Sequence, residues 1–356
     1  MPSPFLPPPE RCEPLAGLVA RWDGAMEMRS AAEVVEYALP SHASAELREF
    51  WHAETRAEAG PAFIARLPQG RVFGSGIVLS PDGRSIARDV SLDFGKPPTD
   101  HWLVTHRKIP PPQPVPGRTA VVATTLGMGY GHWLLDELPR LLTLPRAAAD
   151  AVIAHADEPC SRMALDQAGW SGAVLPADRR SHFQCEHLIV PSLVGNVVQP
   201  TRTAVDLLHA FTDRYHSDTS PCGARLYLSR ETARRRRVTN ESALWAELEP
   251  AGFVKVRLEK MTWPEQINAF RHAKIIVAPH GAGLANLAFC RPGTRVIEFF
   301  NRAYVSGCYW RLAALQGLDY RPVLPESPGP LGATPECNRL DLEADLAQVR
   351  AALRSA

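Results

Sequence analysis

The sequence predicts an α/β protein of two Rossmann-like domains facing each other across a cleft, preceded by an extension that carries a β-hairpin. From residue 119 onward, short apolar stretches alternate with helical patterns, as strand–helix–strand units do. The strands are apolar on both faces, which parallel strands covered by helices require. Two glycine-rich segments, near Gly127 and near Gly281, fall where a strand passes into a helix.

Residues 1–60 are Pro-rich and then mixed, with a helix expected over 31–51. Residues 70–105 alternate apolar and polar around Pro81-Asp82-Gly83, a hairpin signal in which Asp-Gly supplies the turn. IPPPQPVPGR (109–118) is too dense in proline for a helix or a sheet interior and reads as a linker. Strands are then expected at 119–124, 151–154, 187–190 and 225–228, with helices at 132–144, 160–168 and 201–216. Asn240 is placed to cap a helix over 241–248, and a strand follows at 253–258. Thr262-Trp-Pro-Glu265 is a capping box opening a helix to 273. A strand at 274–278, the loop His280–Gly283, a short helix at 284–289 and a strand at 295–300 complete the pattern. The tail over 340–353 has helical spacing and is expected to pack back across the domains. The expected division is an extension (1–115), a first Rossmann-like domain (116–220), a second (221–335) and the tail (336–356).

Composition bounds the function. With 39 Lys and Arg against 38 Asp and Glu, the chain has no global attraction for nucleic acid or anionic membrane. MPSPFLPPPERCEP lacks the apolar region of a secretory signal. The charge-free stretches 119–135 and 275–290 fall short of the roughly 20 apolar residues of a membrane span. The expectation is a cytoplasmic protein, with contact at the inner membrane face open. The 7 Cys form no C-x-x-C pair, so a zinc knuckle is unsupported and reduced thiols are expected.

Three segments carry chemistry. In IIVAPHGAGLANLAFCRPGTRVIEFFN (275–301), a buried strand ends, Gly281 and Gly283 permit a tight turn, and a helix begins. Amides at a helix start have no intrahelical partner and suit a phosphate or diphosphate. His280 can donate to the same anion, and Glu298 can accept from a ribose hydroxyl pair. The spacing is not the dinucleotide fingerprint, because its last glycine position is Asn286. In YLSRETARRRRVTNE (227–241), a strand delivers Arg230 to the sheet edge and a basic loop follows; arginine forks bind phosphate oxygens, while part of the run is solvated loop. In GMGYGHWLLDELPRLL (127–142), His132 and Asp136 share one helix face at i, i+4, where one of them could deprotonate an acceptor hydroxyl.

Taken together, the GHWLLDELPRLL helix, the SR…ARRRRVTNE stretch, the W-x-E-Q-I helix and APHGAGLANLAFCRPGTRVIEFF resemble glycosyltransferase family 61, and a bacterial member in particular. The match covers 127–142 and 227–300. The resemblance implies a GT-B architecture with the donor nucleotide on the C-terminal domain, and inverting transfer from a nucleotide-sugar to a saccharide or lipid-linked glycan acceptor in surface polysaccharide synthesis. It implies no cofactor and no required metal, and no Asp-x-Asp triplet occurs in the chain. Under that resemblance Arg230, Arg236 and Arg237 neutralise the departing diphosphate. His280, Gly281, Ala282 and Gly283 cradle it, Glu298 holds the ribose, and His132 or Asp136 is the base. Asn240 and Glu241 orient the loop. Three other readings compete: a non-catalytic nucleotide-sugar or glycan binder, a nicotinamide oxidoreductase, and an esterase, the last lacking a G-x-S-x-G turn.

Overall fold

The computed structural model describes residues 5–354 except 107, 146, 147, 197, 198, 327 and 328. The first four residues of the Pro-rich start therefore lie outside the described residues. The chain folds as two units, Met1–Glu33 with Glu58–Asn196, and Val34–Ala57 with Val197–Ala356.

The first unit is built on a 10-stranded mixed sheet among the described residues. Its parallel part runs His182–Pro191, Gln113–Val121, Ala151–Ala154 and Ala173–Pro176. Antiparallel strands extend it on the other side: Ala62–Pro68 and Arg71–Phe73 both pair with His182–Pro191. The expected hairpin is present, joining Ile77–Leu79 to Ser85–Ala87 with Gly83 at φ 77°. Leu15, Leu67, Val121, Ile153 and Leu188 form its core.

This corrects the expected division at residue 115. The ladder groups of His182–Pro191 that face away from Gln113–Val121 need partners, and the 62–73 strands supply them, so the extension completes the sheet instead of preceding it. The linker reading is corrected too, since Gln113–Val121 is a strand containing Pro114 and Pro116. Pairing to Ala151–Ala154 begins only at Thr119. The proline stretch is thus a local edge, where a missing N–H costs no ladder bond. The helix expected over 31–51 is confined to Ala45–Trp51, capped by Ser44, after strands at Ala25–Ser30 and Glu33–Glu36. Pro40 and the β-branched pair Val34-Val35 oppose a helix further upstream.

The second unit holds a 5-stranded, all-parallel sheet. Counted along the chain the order is 2-1-3-4-5: Val254–Val256, Arg225–Leu228, Ile275–Pro279, Arg295–Phe299, Asp319–Val323. The helix Cys308–Gln316 and the last strand were not anticipated from the sequence. That strand is at the sheet edge, which tolerates its Pro322. Residues 34–57 and the helix Arg202–Thr212 also belong to this unit, and Trp51 packs against Phe300 and Trp310 with centroids 6.2 and 5.6 Å away.

Other local expectations shift here. The tail helix is Leu346–Arg354, and Val349 sits in this unit's own core with Tyr227, Leu244 and Leu248. Asn240 makes no cap bond; its amide donates to Ala344 O (2.8 Å) and accepts from Ala344 N (2.9 Å), pinning the tail. The segment after the His280 turn is a 3-10 helix over Ala282–Phe289. The capping box is present, with Thr262 N bonded to Glu265 Oε2 (2.7 Å) and Glu265 N to Thr262 Oγ1 (3.4 Å). Thr262→Ala removes the acceptor for Glu265 N and is expected to cost about 1 kcal/mol. A thermal melt should then fall by about 2–4 °C, and an unchanged midpoint would count against the box. Among the described residues, no helix is long and apolar enough to cross a membrane.

Candidate functional site

In a sheet of order 2-1-3-4-5 the direction of winding reverses between the first and third strands, and ligands bind beyond their carboxyl ends. Here those ends deliver Ser229 and Arg230 from Arg225–Leu228, and His280 and Gly281 from Ile275–Pro279. Of these, Ser229, Arg230 and Gly281 line a crevice of about 140 Å³ with Glu259 and Gly283, and His280 does not. Larger hollows, of about 680 Å³ beside Asp157 and Asp178 and about 590 Å³ beside His209, contain none of the predicted residues.

Gly281 has an extended backbone (φ 176°), so its conformation does not demand glycine. A Cβ there would lie 2.4 Å from Arg230 Nη1, so glycine is what lets the guanidinium rest where it does. The guanidinium is laid directly on the turn. Its Nε donates to Arg236 O (3.1 Å) and its Nη2 to Arg235 O (2.9 Å). Burial, helped by the nearby Arg236 charge, pushes Arg230 down to about 10, so it remains cationic at neutral pH. Arg236 sits in the left-handed region at φ 54°, a cost that clusters at functional sites. Its guanidinium lies 5.7 Å from the Tyr304 ring centroid. Ala282 and Gly283 are half-buried in the first turn of the 3-10 helix.

Two predicted donor contacts are not where the sequence put them. Arg237 turns to the tail: its backbone N and its guanidinium both bond to the Asp341 carboxylate, at 2.9 and 3.1 Å. Glu298 is fully buried, with Oε1 2.5 Å from His280 Nδ1 and Oε2 accepting from the Tyr320 hydroxyl. It offers no exposed oxygen to a ribose. The His280 ring stacks on Phe300 (5.4 Å, 25°) and meets Tyr304 and Tyr309. Glu241 Oε1 accepts from Ser229 Oγ (2.6 Å) and Tyr227 Oη (3.0 Å), at the end of the strand that delivers Arg230.

The first unit carries a second cluster. Its helix is α over Tyr130–His132, π over Trp133–Glu137 and α over Leu138–Leu142. Such π segments recur at functional sites. His132 Nδ1 lies 2.7 Å from Asp136 Oδ2. Asp136 is buried while the His132 side chain is 22% exposed, beside the Phe94 ring at 5.9 Å. A carboxylate on Nδ1 fixes the tautomer and leaves Nε2 as a proton acceptor.

Sequence reasoning missed the partners of the neighbouring charges. Glu137 Oε1 accepts from Thr124 N (2.7 Å) and pairs with His155 Nδ1 (2.5 Å), both buried. Gly127 makes room for this pair, because a Cβ there would lie 1.7 Å from Glu137 Oε1. Arg140, fully buried and pushed down to about 10 by desolvation, donates to Pro191 O (2.8 Å) and Ala123 O (3.0 Å). Among the described residues, no group of three His, Cys, Asp or Glu side chains is placed to hold a metal ion.

A family model spans these segments. Residues 130–297 match the family model for Glycosyltransferase 61, which bears out the resemblance over a span containing the His132 helix, the Arg230 loop and the His280 turn. The EGF domain-specific O-linked N-acetylglucosamine transferase of Drosophila melanogaster is 36% identical over 98 residues, 27% of this chain and 18% of that protein. The chain thus spans under a fifth of that relative's length.

Proposed function

We propose that this chain, matched to glycosyltransferase family 61 over residues 130–297, moves a sugar from a nucleotide-sugar donor to a glycan hydroxyl with inversion and without a bound metal. The observation that carries the reading is the Arg230 guanidinium laid against Gly281 at the switch point of a 2-1-3-4-5 parallel sheet. Charge develops on the leaving diphosphate in the transition state, and prepositioned cations stabilise it there. Arg230 and Arg236 would supply that charge in place of a divalent ion. In a single displacement the acceptor oxygen attacks the anomeric carbon as its proton passes to a base, and the bond to the diphosphate oxygen breaks. His132 would be that base through Nε2, with Asp136 holding the ring. This reading assigns a GT-B division of labour, donor to the second unit and acceptor to the first. The acceptor would be a saccharide or lipid-linked glycan reached from the cytoplasm in surface polysaccharide synthesis.

Calorimetry with UDP, GDP, CDP and ADP in EDTA tests the donor half. At least one should bind, and silence from all four would overturn the reading. For the base, His132→Ala should lower kcat by about 10²–10⁴-fold with donor affinity unchanged. Asp136→Asn should also lower kcat, because the amide does not enforce the tautomer. Turnover by His132→Ala equal to the parent would remove it from the chemistry.

A further inference from the structure

The crevice beside Arg230 is walled from three strand ends. Leu228 and Arg230 come from the first strand, Pro279 and Gly281 from the third, and Leu258 and Glu259 from the loop after Val254–Val256. That loop, a 3-10 turn over Leu258–Lys260, is anchored on the 3-10 helix beyond the His280 turn. Leu258 Cδ1 lies 2.6 Å from where a Cβ on Gly283 would stand. Gln266 Nε2 donates to Leu258 O (3.0 Å) and Met261 O (3.3 Å), and Gln266 Oε1 accepts from the buried Asn286 side chain (3.0 Å). On its other side the loop is tied to the one that carries Arg230. Thr232 Oγ1 donates to Glu259 Oε1 (2.5 Å), and Arg257 pairs with Glu231 at 3.8 Å. Among the described residues Glu259 Oε2 has no partner, and no ion pair joins Glu259 to Arg230. The crevice thus has a cationic wall and, opposed to it, a held carboxylate with acceptor capacity to spare.

We propose that Glu259 is a specificity-determining residue that accepts hydrogen bonds from the vicinal ribose hydroxyls of the donor's nucleotide. This rests on the donor reading above, and moves the ribose contact from the buried Glu298 to the loop after the second strand. An ionised carboxylate is acceptor-only, so it repels a phosphate and takes hydroxyl donors. The two walls therefore ask for one ligand that carries an anion at one end and hydroxyls beside it. A nucleoside diphosphate has that order, with its phosphates on Arg230 and its ribose diol on Glu259. The transferred sugar is a second source of hydroxyls. It has to meet an acceptor, however, whereas all of this lining belongs to the unit that takes the nucleotide. A hydrogen bond to a charged acceptor contributes about tenfold in affinity.

The test is calorimetry with UDP, GDP, CDP and ADP, their 2′-deoxy and 3′-deoxy forms, the matching nucleotide-sugars and inorganic diphosphate. The wild-type protein should bind a ribonucleotide about tenfold more tightly than its deoxy forms. Glu259→Ala should erase that preference, and inorganic diphosphate should bind it no more weakly than wild type. Glu259→Gln, which keeps one acceptor, should retain part of the preference, and decides the matter should the Ala variant not fold. Glu259 is exposed, so both variants are expected to melt with the parent. A wild-type protein indifferent to both hydroxyls, or a preference that survives in Glu259→Ala, would overturn the inference and leave the donor reading standing. Equal losses for ribonucleotides, deoxy forms and inorganic diphosphate would show that Glu259 only holds the Arg230 loop through Thr232, and would overturn it too. A loss confined to the nucleotide-sugars would move the contact to the transferred sugar, with the same consequence. Binding of no nucleotide would overturn the donor reading and this inference together.

Discussion

Arg230→Ala is expected to lower kcat/KM by about 10²-fold or more, the loss seen when one prepositioned donor is removed from a developing anion. The thermal midpoint should barely move. Among the described residues the side chain bonds two loop carbonyls, those of Arg235 and Arg236, and no buried side-chain partner is stranded when it goes. Arg230→Lys should recover part of the loss, since it restores a charge without the bidentate fork. Gly281→Ala attacks the same contact from the other side. Its new Cβ, 2.4 Å from Nη1, must drive the guanidinium off the turn, so it should mimic Arg230→Ala while leaving the arginine in place. Donor consumption kinetics with parallel melts would check all three. An Arg230→Ala enzyme within about threefold of the parent would contradict a catalytic role for this group.

Much of this site is legible along the chain, and what is not has a physical reason. The strands at 225–228 and 275–279 announce themselves as runs apolar on both faces, and the glycine turn beyond Pro279 marks the crevice. Pairings between distant segments leave no local signal. His182–Pro191 takes its antiparallel partners from 62–73, over a hundred positions upstream, so the extension looked separate. Glu298 sits in a strand buried on both faces, where position alone does not say whether a carboxylate reaches the rim or the interior. Its partner Tyr320 lies on a strand that Pro322 disguises. In the first unit, His132 and Asp136 are readable at i, i+4, but the π turn decides which neighbouring carboxylate meets His132 and which meets His155.

That π turn sets up the largest expected effect on stability. Glu137 is buried and accepts from Thr124 N and from His155 Nδ1, with the fully buried Arg140 close enough to feel its charge. Thr124 follows Gln113–Val121, His155 follows Ala151–Ala154, and Arg140 binds the last carbonyl of His182–Pro191. One short helix segment thus ties the carboxyl ends of three adjacent parallel strands. Glu137→Ala strands two donors and leaves a buried guanidinium without its countercharge. Removing one member of a buried pair costs about 3–5 kcal/mol, which at about 2–4 °C per kcal/mol lowers the melting midpoint by roughly 10 °C. Glu137→Gln keeps an acceptor at the same place and should lose clearly less. Denaturant and thermal unfolding of both variants separate the possibilities, and a loss under about 1 kcal/mol for Glu137→Ala would show that the strand ends are held by something else. Activity adds a second constraint. The same helix presents His132, so turnover in Glu137→Ala should collapse along with the fold on warming, whereas His132→Ala should lose turnover at temperatures where the protein is fully native.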